Sequence, residues 1–210
     1  MATRFLDDAA RTAFKQAVET VENASAVEVV VAVRRRSGTY RHANVALGGL
    51  VAFIGLAAML YSSHTFQLSS ILIDPFVVGV LVGAIVELLP TVKRWSTPKS
   101  WRRAQVLRAA RATFLERGVH NTTGRSGLLV YVSWLEHEVA LVADSGLARE
   151  LPDDLLAEAA ATMSATVARG GVAVARAVEA LARAMAMAMP HRDDDVNELP
   201  DAIDSDLGSR

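Results

Sequence analysis

The chain of 210 residues contains no cysteine. That excludes disulfides, thiol catalysis and cysteine-ligated zinc or iron–sulfur centres, and it fits a cytosolic face. An excess of charge of either sign is also missing, since 22 Lys and Arg stand against 23 Asp and Glu. There is no global basic field, so no nucleic-acid partner is expected. The sequence has no glycine-rich phosphate loop and no Gly-x-Ser-x-Gly elbow. Its five histidines, His42, His64, His120, His137 and His191, lack metal-ligand spacing and read as surface residues.

Charge is absent above all from positions 43–89. The first part, 43–61, holds about 19 uncharged residues, enough for ~30 Å of hydrocarbon at ~1.5 Å per residue. The second, 71–89, is as long and holds only Asp74 and Glu87, near its ends, where a charge costs less than at a bilayer centre. Between them, 62–70 contains no Lys or Arg, whereas Arg34, Arg35, Arg36 and Arg41 precede the pair and Lys93, Arg94, Lys99, Arg102 and Arg103 follow it. The pattern predicts a two-span hairpin with both termini cytoplasmic, and the many Ala, Arg and Val residues suggest a GC-rich bacterial gene, hence an inner membrane. A buried hairpin of a soluble protein fits less well, because two such runs with basic borders meet the usual criteria for spans. A cleaved leader does not fit, because about 40 mostly polar residues come first. The bilayer is the expected partner, with anionic headgroups against the basic flanks.

Within the second span, Asp74-Pro75 reads as a helix start, with Asp as cap and Pro at the first position. Gly79 and Gly83 form a small-xxx-small pair, expected to pack inside the hairpin and otherwise available for dimerisation. Glu87 reads as an interfacial residue.

The remaining sequence is enough for one domain with a core. Positions 5–23 repeat apolar residues every three or four and predict a helix. The β-branched run 27–33 predicts a strand buried on both faces, interrupted only by Glu28 at its beginning. After the hairpin, Pro98 opens a helix that ends at Gly118, with Trp101, Val106, Leu107, Ala110, Phe114 and Leu115 on its apolar side. Runs 127–135 and 138–143 read as two interior strands joined by a tight turn. Helices follow over about 152–169 and 172–189, with Met185, Met187 and Met189 as core filler. From Pro190 on, the acidic tail reads as extended or disordered. The expected fold is α/β: a three-layer α/β/α sandwich with a short mixed sheet, interrupted by a two-helix transmembrane hairpin. The division is 1–42 (first helix and strand), 43–91 (hairpin), 92–189 (rest of the domain) and 190–210 (tail).

In chain order stand Glu22 followed by Ala26-Val27-Glu28-Val29-Val30-Val31, the helix end Phe114 to Gly118, the loop Asn121-Thr122-Thr123, the strand Gly127-Leu128-Leu129-Val130-Tyr131-Val132, and Asp144-Ser145-Gly146. These pieces in this order resemble the TPM-domain family, found in thylakoid-lumen phosphatase-like proteins, photosystem II repair factors and acetylcholine-receptor auxiliary subunits. The two-span insert and the tail sequence Asn197-Glu198-Leu199-Pro200 are similar to a bacterial membrane subgroup. The family's Asn before the strand glycine is Ser126 here.

The resemblance implies one of two roles: an interaction or assembly module with a membrane or cytoplasmic protein partner, or a metal-dependent, acid phosphatase-like hydrolase. Glu28, Asp144, Asp153 and Asp154 are the residues that could serve the second. Their hard oxygen ligands suit Ca²⁺ or Mg²⁺, and such a metal could polarise a phosphoryl oxygen. Each acid also has a plain structural reading. Glu28 can pair with a cation such as Arg125. Asp144 can close a turn with Gly146, and Asp153 and Asp154 suit the first turn of a helix. The residues form no complete catalytic constellation, so the interaction module is the leading expectation.

Overall fold

The computed structural model describes residues 5–152, 154–191, 198–199 and 202–207. The chain divides into two compact units, one made of Met1–Gly38 with Arg102–Arg210 and the other of Thr39–Trp101. The first unit is therefore built from both sides of the insert.

In that unit, helix α1 (Asp8–Ala24) is capped by Asp7, whose carboxylate accepts the Ala10 N–H at 2.8 Å. Its buried residues Ala10, Phe14, Ala17, Val18 and Val21 form one stripe, as the three-and-four spacing requires. Strand β1 (Val29–Arg34) follows. Helix α5 (Lys99–Glu116), introduced after the insert, leads to β2 (Leu128–Ser133) and β3 (Glu138–Ala143). Then come α6 (Ser145–Glu150), α7 (Leu155–Thr166), α8 (Gly171–Glu179), α9 (Ala182–Ala188) and β4 (Asp204–Ser205). The sheet is mixed, in the order β3-β2-β1-β4, with β1 parallel to β2 and β4, and β2 antiparallel to β3.

Alternate residues feed two apolar clusters. Val29, Val31, Val33, Leu128, Val130 and Val132 join residues of α1, α7, α8 and α9. Val30, Ala32, Leu129 and Tyr131 join Val106, Ala110 and Phe114 of α5. Period-two alternation sends successive side chains to opposite faces, so the strands must be apolar on both.

Several expectations need correcting here. β3 is an edge strand, because the chain supplies no fifth strand beyond it among the described residues. The expected last helix is two, α8 and α9. Met185 is fully buried, but Met187 is 71% exposed, since two residues along a helix turn it toward the opposite side. Trp101 and Leu115 are exposed as well. The tail is not without structure at 202–207: Asp204 and Ser205 pair with β1 at Ala32 and Val33, and Leu207 is buried.

The second unit holds α2 (Arg41–Tyr61), α3 (Leu68–Glu87) and the short α4 (Pro90–Ser96). α2 and α3 are long and apolar enough to cross a membrane, and only 17% of each apolar window is buried. α3 starts at Leu68, before Asp74-Pro75, so Pro75 lies inside the helix. The preceding residues Leu68, Ile71, Leu72 and Ile73 extend the helical run, and the missing proline N–H costs one bond. The glycines pack within the hairpin: a Cβ on Gly79 would stand 2.6 Å from the Gly48 carbonyl oxygen, and one on Gly83 would stand 3.1 Å from that of Asn44. At the same end, Glu87 accepts from Asn44 Nδ2 at 2.5 Å and pairs with the buried Lys93 at 2.7 Å.

Candidate functional site

The two ends of the sheet carry different chemistry. At the start of β1 and β2, the Leu128 N–H donates to the Glu28 carbonyl at 2.7 Å, and the Asp144 N–H donates to the Gly127 carbonyl at 2.8 Å. Continuing the register of the strand pairs, Glu28, Gly127 and Asp144 share one rung. Glu28 and Asp144 therefore flank a glycine, roughly 10 Å apart across two strand spacings. The side-chain space at Gly127 is filled by the chain itself, since a Cβ there would collide with the Val119 carbonyl oxygen.

Both acids are more than nine-tenths buried. Asp144 caps α6, its Oδ1 accepting the Ser145 N–H at 2.6 Å. Its Oδ2 is buried and accepts no hydrogen bond, and Arg125 Nη1 lies 3.9 Å from it. The sequence expected Arg125 to be available to Glu28, and the structure places it beside Asp144. Arg125 itself sits at a positive φ of 52°, in the tight loop that meets Gly146. Asp154 is exposed at the start of α7 and makes no capping bond. Asp153 lies outside the described residues. Among the described residues, no three His, Asp or Glu side chains converge to hold a metal ion.

The same end receives the tail. Glu198 accepts from the Thr123 N–H at 2.7 Å and its hydroxyl at 2.6 Å. These two bonds hold the exposed Glu198 carboxyl below its ordinary value.

The opposite end, where β1, β2 and β4 finish, was not anticipated. Arg34 pairs with Asp204 and donates to its carbonyl at 3.0 Å, and Arg117 Nη2 meets Asp204 Oδ1 at 2.6 Å. Burial works against the Arg34 charge, but the hydrogen bond and charge of Asp204, helped by Asp206, outweigh it and raise its pKa. Beside them runs a chain of hydroxyls. Tyr131 and Ser37 are 3.1 Å apart, Ser37 and Ser133 2.6 Å, and Ser133 donates to Glu136 at 2.6 Å. Burial pushes the Tyr131 phenol up, and Glu136 and Asp206 add to it, against the Ser37 bond and Arg34. Ser133 and Glu136 are essentially inaccessible, while Ser37 is partly buried. Nothing in the sequence joins Ser37 to Ser133 or Arg34 to Asp204, which lie far apart along the chain.

No family model matches this sequence, and no curated protein does. Among solved structures it is similar to the NMR structure of the BA42 protein from the psychrophilic bacterium Bizionia argentinensis. The TM-score is 0.57, covering 96% of this chain and 95% of that one, at 16% identity. That likeness is one of fold.

Proposed function

We propose that this protein is a TPM-like, three-layer α/β/α domain interrupted by a transmembrane hairpin, acting as an interaction or assembly module on the cytoplasmic face of a bacterial inner membrane. The observation that carries the reading is the outward apolar surface of α2 and α3. Phe53, Ile54, Leu72, Phe76, Val80 and Leu81 are each more than half exposed on helices of spanning length. Water would oppose that surface and a bilayer would accept it. The basic flanks and the uncharged turn support the cytoplasmic placement of both termini. A reporter fused after Arg210 should stay cytoplasmic, and one inserted at His64 should be exported. Export of the first would overturn the placement.

The alternative is a metal-dependent phosphatase using Glu28 and Asp144 with Ca²⁺ or Mg²⁺. Arg125 weighs against it, because a guanidinium already supplies positive charge beside the Asp144 oxygen that a cation would need. The discriminating experiment is a melt of the detergent-purified protein with Ca²⁺ or Mg²⁺, alongside a phosphate-ester assay. The module reading expects neither turnover nor a rise in melting temperature. A rise that Glu28→Ala or Asp144→Ala abolishes, together with turnover, would favour the hydrolase.

A further inference from the structure

We propose that the outward face of α5 docks on an anionic lipid surface. The proposal rests on the membrane reading of α2 and α3 and gives that bilayer a second contact. α5 is a two-sided helix. Val106, Ala110 and Phe114 are buried and share an apolar cluster with Val30, Ala32, Leu129 and Tyr131. At ~3.6 residues per turn, the side turned away from them carries Ala104, Arg108, Arg111 and Leu115, with Leu107 beside it. All five are exposed, and Leu115 is 63% exposed.

The charge on that side has one sign. From Leu88 to Leu115 the sequence holds two Lys and five Arg but no Asp or Glu. Among the described residues, Arg103, Arg108 and Arg111 form no ion pair. The exposed side of α1 is different: it mixes signs, and Lys15 pairs with Glu19. Mixed signs mark a solvated face, whereas a basic face with apolar residues suits a membrane surface. A lone exposed leucine would signify nothing. Here Leu107 and Leu115 each stand four residues from Arg111, one turn away on either side. The guanidinium groups can meet headgroup phosphates while the leucines and the arginine stems enter the acyl boundary.

Position along the chain favours a bilayer over an acidic protein partner. α3 ends at Glu87 and α5 starts at Lys99, with the seven-residue α4 and two short links between them. Even with its links extended, that connection spans no more than roughly 30 Å. The start of α5 is therefore delivered to the membrane surface by its own chain.

The chain has no cysteine, so a single label reports one site. Full-length Leu115→Cys is spin-labelled and reconstituted into liposomes of phosphatidylcholine, alone or with about one-third phosphatidylglycerol. Paramagnetic resonance then measures the label's access to a water-soluble nickel relaxant. Docking expects access to fall by about threefold or more when the anionic lipid is present. A Gln16→Cys label on the exposed side of α1 should not change. Arg108→Gln with Arg111→Gln should restore access at Leu115. Co-flotation with the liposomes reads the spans separately. Equal access at Leu115 in both lipids, in a chain that floats with both, would overturn the docking face and leave it to a partner protein. A chain that floats with neither would overturn the span reading, and the proposal with it.

Discussion

The Glu136 carboxylate accepts the backbone N–H of Ser37 at 2.9 Å. The carbonyl of the same residue accepts Arg102 Nη1 at 2.9 Å. Ser37 lies just before the chain leaves the sheet-bearing unit, and Arg102 lies where it returns. One turn between β2 and β3 thus holds both ends of the insertion point. Glu136→Ala should cost about 2–3 kcal/mol, because it removes charge-assisted bonds and leaves buried Ser133 and the Ser37 amide without that acceptor. A denaturant titration of the full chain checks it. A loss below about 0.5 kcal/mol would mean the turn is held by its neighbours.

Gly127 should tolerate no side chain. A Cβ would meet the backbone carbonyl of Val119 and, behind it, that residue's Cγ1, and Val119 is fully buried, so neither can swing away. Gly127→Ala is expected to destabilise by about 2 kcal/mol or more, at the upper end of ordinary overpacking. The thermal melt should show it, whereas Gly124→Ala, with its nearest neighbour at 3.6 Å, should change little by crowding.

Within the hairpin, two glycines of the same helix should behave differently. Gly48→Ala would bring a methyl to 2.5 Å from the Gly79 carbonyl oxygen, while Gly49 has nothing within 4 Å. The first should force α2 and α3 apart and the second should be neutral. Pairs of engineered cysteines across the two helices, read by disulfide yield, distinguish them. Equal yields would show that small residues do not set this packing.

The tail clip should release in acid. The Glu198 carboxyl is held below its ordinary value of 4.5 by Thr123. A carboxyl with a depressed folded pKa contributes stability above its unfolded value and loses it as pH falls through the folded one. Exchange of the Thr123 amide should therefore rise, relative to the intrinsic rate, as pH drops below the ordinary carboxyl value. In Glu198→Gln that extra pH dependence should vanish. A wild-type protection factor that stays flat down to pH 2 would contradict the clip.

Tyr131 works at the other extreme. Its folded pKa is raised from 10.0, so its contribution is present below pH 10 and is lost as pH rises through the folded value. Stability should fall at alkaline pH by more in the wild type than in Tyr131→Phe. Parallel melts at pH 9 and 11 measure the difference.

How much of this was legible beforehand follows from the range of each interaction. Local patterns determined α1, β1, the two long apolar helices and the helix stop at Gly118, because periodicity, capping and span length act within a few residues. Those patterns also carried the α/β class, since runs such as Val29 to Val33 are apolar on both faces and need cover on both. They failed where local signals pointed the wrong way. Asp74-Pro75 looks like a helix start, yet the apolar residues before it continue the helix. The acidic tail looks unstructured by composition, yet Arg34 and Arg117 draw Asp204 onto β1. The pairing of Arg125 with Asp144, the clamp of Glu136 on Ser37 and the closing of the sheet by β4 join residues far apart in sequence. Only the folded chain brings them together, so tertiary structure alone decided which acid met which base.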